Sequence, residues 1–104
     1  MFLKVSAAGD VTFEDRDDFR AFKLTVEDDR GKLDALRRAL AGKAEVPDAD
    51  TAWIFEAALR GWPGVAQDGP WQQSFSAMIE KARPHGWIDE TRRAIKAHIE
   101  WLPA

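Results

Sequence analysis

The chain of 104 residues contains no cysteine and no tyrosine. Without cysteine there is no disulfide, no thiolate nucleophile and no zinc–sulfur site, so packing alone must stabilise the fold. The absence of cysteine also agrees with a reducing compartment. No apolar run approaches the ~20 residues needed to cross a bilayer, and residues 1–6 lack the apolar stretch of a signal peptide. We therefore expect a soluble, cytoplasmic protein that has no membrane partner.

The sequence has no surplus of basic residues in either half. Its formal net charge is -3, with 9 basic and 12 acidic side chains in residues 1–50 and 6 of each in residues 51–104. Proteins that bind nucleic acids usually carry a basic patch, because contacts to phosphates supply much of their affinity. The charge balance therefore argues against nucleic acid as a partner.

Motifs of catalytic and cofactor-binding sites are also missing. None of the three serines lies in a Gly-x-Ser-x-Gly turn, and Gly61, Gly64 and Gly69 lack the spacing and the following lysine of a phosphate-binding loop. The two histidines, His85 and His98, are too far apart in the chain to form a short-spaced pair of metal ligands. The acidic clusters lack the spacing of a calcium-binding loop. We predict no catalytic residue, no cofactor and no metal site, which favours a non-enzymatic protein.

The first part of the chain predicts a β-hairpin. Residues 2–6 and 11–14 are rich in β-forming residues, and the turn between them contains Gly9 and Asp10, which suit the unusual backbone angles of a tight turn. Two strands alone are only marginally stable. The hairpin must therefore pack on helices or pair with another strand.

Residues 15–27 are compatible with two structures. Phe19, Phe22 and Val26 recur at helical spacing, whereas Phe22, Leu24 and Val26 alternate with polar residues as in a third strand of a meander. The acidic residues before Phe19 suit the positive end of a helix dipole, so the helix is the favoured interpretation.

Four later segments show apolar residues at helical spacing, bounded by glycine, proline or aspartate. These segments cover residues 32–41, 49–60, 70–82 and 89–102. Together with the hairpin they predict an α+β fold that is mainly α, with a β-hairpin, or a three-stranded meander, packed on four or five helices. The length suits one compact domain that spans residues 1–104.

Five tryptophans follow residue 52, and none precedes it. Trp53 and Trp71 lie in segments with a regular apolar pattern, which predicts that both are core residues. Trp62, Trp87 and Trp101 border turns or the end of the chain, where an indole can contact another molecule. The leading hypothesis is therefore a small accessory or interaction domain that binds a protein partner or forms a homo-oligomer.

One alternative is a DNA-associated regulator that uses a helix-turn-helix-like segment over residues 70–101. In that motif the start of the second helix enters the major groove, and Arg92, Arg93 and Lys96 would be the candidate contacts. Asp89 and Glu90 would occupy the first turn of the same helix, where they would repel DNA phosphates. The charge pattern therefore weakens this alternative.

The other alternative is a small-molecule-binding domain or weak enzyme around the loop of residues 61–70. This loop contains three glycines and two prolines, and loops of this kind often carry function. His85 lies in a later turn near Trp87 and is the better of the two histidines as a ligand contact or general base.

Overall fold

Seven short strands form one curled, mixed sheet, a half-barrel, in the computed structural model, which describes residues 1–103. The strands are β1 (Phe2–Val5), β2 (Val11–Glu14), β3 (Lys23–Val26), β4 (Ala44–Glu45), β5 (Thr51–Phe55), β6 (Ile88–Asp89) and β7 (Ala94–Trp101). The helices are α1 (Leu33–Ala39), α2 (Glu56–Arg60) and α3 (Gly69–Ala82), and a 3-10 turn covers Arg83–His85. The strand order is β2-β1-β3-β7-β5-β4, and β6 also pairs with β7. The prediction of a mainly helical domain with four or five helices is therefore wrong.

The last predicted helix is the largest error, because β6 and β7 occupy this part of the chain. In β7, Ile95, Ala97 and Ile99 are buried, while Lys96 and His98 between them are exposed, as expected for a strand with one covered face. The isoleucines in this segment also fit helical spacing, so the sequence satisfies both the helical period of about 3.6 residues and the strand period of 2. Strand pairing along both edges of β7 satisfies its backbone groups, and this non-local pairing decides the outcome.

The helix predicted over residues 49–60 is also wrong in its first half. β5 takes that half, with Ala52 and Ile54 fully buried, and α2 begins only at Glu56. The aromatic and β-branched residues of β5 favour a strand once a neighbouring strand is present. Here that neighbour is β7, with Ala52 opposite Ala97.

The predicted hairpin is present, because β1 and β2 pair antiparallel, with Val5 opposite Val11. The helix favoured for residues 15–27 is wrong, since residues 15–22 contain no helix or strand and β3 follows them. The alternative, a third strand, is present as β3, but its place in a meander is wrong. β3 runs parallel to β1, with Leu3 opposite Leu24, and therefore needs the long connection that residues 15–22 supply.

The helices predicted over residues 32–41 and 70–82 are confirmed as α1 and α3. The Asp68 side chain caps α3 by accepting a hydrogen bond from the Trp71 backbone N–H at 3.0 Å. Trp71, Phe75 and Ile79 are buried on one face of α3, and the Trp71 and Phe75 rings stack with centroids 4.9 Å apart. No helix within residues 1–103 is long and apolar enough to cross a bilayer.

Candidate functional site

An interruption in the sheet forms the main cleft of the molecule. β5 pairs with residues 94–98 along one edge of β7, so β3 and β6 must share the opposite edge. β3 pairs there from His98 onward, and the Lys96 backbone N–H donates to the Trp87 carbonyl at 2.8 Å. Neither β3 nor β6 pairs with β7 at Ala97. The segments that lead into the two strands diverge at this point and leave an open cleft between them.

The cleft has a volume of about 870 Å³ and a lining that is mainly apolar, with several polar and charged side chains. Four parts of the chain surround it: the loop before β3, the last turns of α3, the turn before β6, and residues at the start of β5 and in β7. The apolar side chains that line it are Phe19, Ala21, Phe22, Met78, Ala82, Trp87 and Ile95. A mostly apolar cavity with a few polar groups is the usual form of a ligand site.

The amino terminus holds the loop before β3 in place through two hydrogen bonds. The Met1 amino group donates to the carbonyls of Asp18 at 2.9 Å and Ala21 at 3.1 Å. Burial lowers the pKa of this amino group, and the negative charge of Asp18 opposes that effect. These two bonds hold the wall of the cleft close to the start of β1.

The exposed side of the same loop carries a local ion pair. The Asp18 carboxylate accepts hydrogen bonds from the Arg20 side chain and from the Arg20 backbone N–H, each at 3.1 Å. These bonds lower the pKa of Asp18, and the same pairing raises the pKa of Arg20. Part of the charge of Arg20 is therefore balanced by Asp18.

His85 and Trp87 form the aromatic end of the cleft. Their rings stack with centroids 4.4 Å apart and an angle of 18° between the planes. Gly86 between them has φ +76°, a left-handed conformation that glycine adopts without strain. Trp87 remains 48% exposed although His85 covers part of it, so the indole is accessible from the cleft.

The charged groups on the cleft rim are mainly positive. Arg20, Lys81 and Lys96 line the cleft, and Asp50 is the one carboxylate that does so. The Asp50 carboxylate pairs with Arg30 at 2.7 Å, which offsets its charge. Lys81 and Lys96 form no salt bridge within residues 1–103. The cleft therefore presents two ammonium groups without a carboxylate partner, in a chain whose formal net charge is -3.

The other two tryptophans proposed as contacts lie outside this cleft. Trp62 is half-buried, and its ring meets that of Phe13 edge-on at 5.7 Å. Trp101 is also half-buried, and its Nε1 donates to the Ala49 carbonyl at 2.7 Å. Residues 61–70 do not line the cleft either. The structure thus brings His85 and Trp87 together but separates them from Trp62, Trp101 and the loop.

The candidate nucleic-acid contacts are divided as well. Lys96 lines the cleft, whereas Arg92 and Arg93 border a separate hollow of about 530 Å³. Arg92 forms ion pairs with Glu45 and Asp89, so its charge is balanced locally. Because residues 94–101 form a strand, the segment 70–101 has no second helix to enter a DNA groove. The geometry on which the DNA-binding alternative depended is absent from this segment.

Comparisons with protein-family models, with curated proteins and with solved structures found no match. The site therefore has to be interpreted from its own chemistry. Within residues 1–103, no group of three or more histidine, aspartate or glutamate side chains could hold a metal ion. His85, His98 and Thr51 line the cleft and can each donate a hydrogen bond to a ligand or accept one from it.

Sequence reasoning missed several residues of the cleft. Helical spacing places Phe19 and Phe22 on one predicted helix face and Met78 in the apolar stripe of α3, and no pattern singles out Lys81. All four residues line the same cleft, although they lie far apart in the chain. The Phe19 ring also lies beside that of Trp71 near the start of α3, with centroids 5.8 Å apart. The only local signal was the period-2 pattern of β7, which predicts that Lys96 and His98 point away from the core.

Proposed function

We propose that this protein binds a small molecule in the cleft between β3, β6 and α3. The observation that carries the proposal is the cleft at the sheet interruption, about 870 Å³ in volume. This volume lies within the range of roughly 300–1000 Å³ that is typical of small-molecule sites. Of the residues in the small-molecule alternative, the proposal retains His85 and Trp87. It leaves out the loop of residues 61–70.

The exposed apolar side chains favour a small ligand over a large protein interface. Among residues 1–103, Trp87 and Leu102 are the exposed large apolar side chains. Trp87 lies beside Lys96, and Leu102 follows the other end of β7, roughly 20 Å away at ~3.3 Å per strand residue. Two separate side chains do not make the contiguous apolar patch that a stable protein interface needs. Binding to a protein partner or to a second copy of the chain stays a prediction with weaker support.

The test is a fragment titration followed by two-dimensional NMR of the labelled backbone amides. Mixtures of small aromatic and aliphatic fragments are added, and the resonances that move are mapped on the structure. We expect shifts confined to residues 19–22, 50–51, 78–87 and 95–98, because these segments surround the cleft. Shifts scattered over the surface, or no shifts, would contradict the proposal.

Two substitutions of alanine by tryptophan form a matched pair of test and control. Ala21→Trp places a large ring on the rim of the cleft, whereas Ala77→Trp places it on an exposed position of α3 outside the lining. The first variant should abolish the fragment-induced shifts, and the second should retain them. Light scattering across a concentration series runs in parallel, and a stable dimer that occludes Trp87 would support the protein-interface prediction instead.

A further inference from the structure

The positive rim of the cleft indicates the charge of its ligand. Lys81 projects from the last turn of α3 and Lys96 from β7, and both ammonium groups lack a carboxylate partner within the described chain. Both lysines are exposed, so the pairing of their ammonium groups with an anion gains strength only where the bound ligand itself excludes water. A carboxylate or phosphate group on the ligand would supply that partner.

The position of Lys96 links this charge to the aromatic end of the cleft. Lys96 lies opposite Trp53 on β5, and its backbone N–H bonds to the Trp87 carbonyl on the other side. Residues directly opposite each other on antiparallel strands project from the same face. The Lys96 side chain therefore leaves the sheet in the same row as two indoles, one of which, Trp87, is 48% exposed.

We propose that the ligand is a small anion with a flat aromatic ring. This inference rests on the proposed function and specifies the chemistry of the same site. The ring packs on Trp87, where the His85 ring already forms a parallel stack, and the anionic group binds Lys81 and Lys96. A neutral ring would leave both ammonium groups unpaired, and an anion without a ring would leave Trp87 exposed.

Four probes separate the ring from the charge in isothermal titration calorimetry. The probes are 1-naphthoate, 1-naphthyl phosphate, the neutral 1-naphthamide and the non-aromatic cyclohexanecarboxylate. At least one of the two aromatic anions should bind tenfold or more tightly than both other probes, which corresponds to about 1.4 kcal/mol. The comparison of naphthoate with naphthyl phosphate shows whether the cleft prefers a carboxylate or a phosphate. Added salt should weaken the anions and leave naphthamide unchanged.

Variants of the binding residues test the assignment of each group. Lys81→Gln and Lys96→Gln should each weaken the aromatic anion several-fold and leave naphthamide unchanged. Lys32→Gln is the matched control, because Lys32 is exposed, forms no salt bridge within the described chain and does not line the cleft. Trp87→Leu should weaken all three aromatic probes, and Trp87→Phe should retain most of the affinity because the flat ring remains.

The possible results distinguish this inference from the proposed function. If naphthamide binds as tightly as the aromatic anions, the anion inference is wrong while small-molecule binding stands. If cyclohexanecarboxylate binds as tightly as naphthoate, the aromatic part is wrong. If no probe binds and the fragment titration moves no cleft resonance, both proposals are wrong. Thermal melting of each variant checks that a lost affinity does not reflect a lost fold.

Discussion

Gly86 shows how one residue shapes the aromatic end of the cleft. Its φ of +76° reverses the chain after the 3-10 turn, so that the residues on either side of it can stack their rings. A Cβ added at Gly86 would meet no atom within 4 Å. Any penalty for a side chain at this position therefore comes from the backbone conformation alone, since residues with a Cβ adopt a left-handed conformation at a cost.

We expect Gly86→Ala to lower the free energy of unfolding by about 1 kcal/mol. The relaxed backbone should also separate His85 from Trp87 and change the indole fluorescence. Gly69→Ala is the control, because Gly69 also has open space around a built Cβ but does not have positive φ. Urea denaturation of both variants measures the difference, and an equal effect of the two substitutions would contradict the prediction.

At the scale of single residues, the sequence predicted part of the cleft. His85 and Trp87 could be selected because they lie in a turn marked by glycine and proline, which is a local signal. Phe19 and Lys81 could not, because the sequence contains no local signal that the loop before β3 and the end of α3 line the same cleft. Trp62 and Trp101 also lie near turns, and yet each has a partner that fixes it in place, Phe13 and the Ala49 carbonyl.

At the scale of elements, α3 could be predicted because its sequence contains strong local helix signals. The cap at Asp68, the proline that follows and the apolar stripe through Phe75 all lie within one continuous segment. β7 differs, because its residues satisfy a helical and a strand pattern at once. Its conformation depends on β3 and β5, whose residues pair with it across 39 (Phe55–Ala94) to 75 (Lys23–His98) positions of the chain. Elements with complete local signals were predicted correctly, and elements fixed by distant partners were not.

The cap provides a prediction at this scale. Asp68→Ala should lower the free energy of unfolding by about 1 kcal/mol, because the Trp71 backbone N–H loses its side-chain acceptor. Gln73→Ala on the same helix is the control, since Gln73 is exposed and outside the first-turn hydrogen bonds. In thermal and urea unfolding, only the Asp68 variant should be less stable than the native protein. A similar free energy of unfolding for both variants would contradict a stabilising role of the cap.

At the scale of the whole molecule, β7 joins two parts of the sheet. One part is β2-β1-β3 and the other is β5-β4, and the strand order contains no other link between them. β3 and β5 both bond to β7, and so does β6. The hydrophobic core lies across the same junction, with Leu24, Ile54 and Ile99 almost fully buried. The integrity of the sheet therefore depends on the central strand.

Hydrogen exchange should reveal this dependence. The amides of β7 should exchange most slowly, with protection close to that of global unfolding, because opening this strand separates both parts of the sheet. The amides of β2, at an outer edge, and of residues 15–22 should exchange faster. Native-state exchange followed by NMR measures each amide, and β7 amides that exchange as fast as those of β2 would contradict this description.

The central place of β7 also has a consequence for synthesis. Among the strands of this sheet, β7 is the last to leave the ribosome, although it occupies the middle of the finished structure. Until it emerges, the nascent chain holds β3 and β5 with unpaired edges, which are prone to associate with other polypeptides. The sheet can therefore close only after translation of this region is complete, and the growing chain is exposed to chaperones throughout that interval.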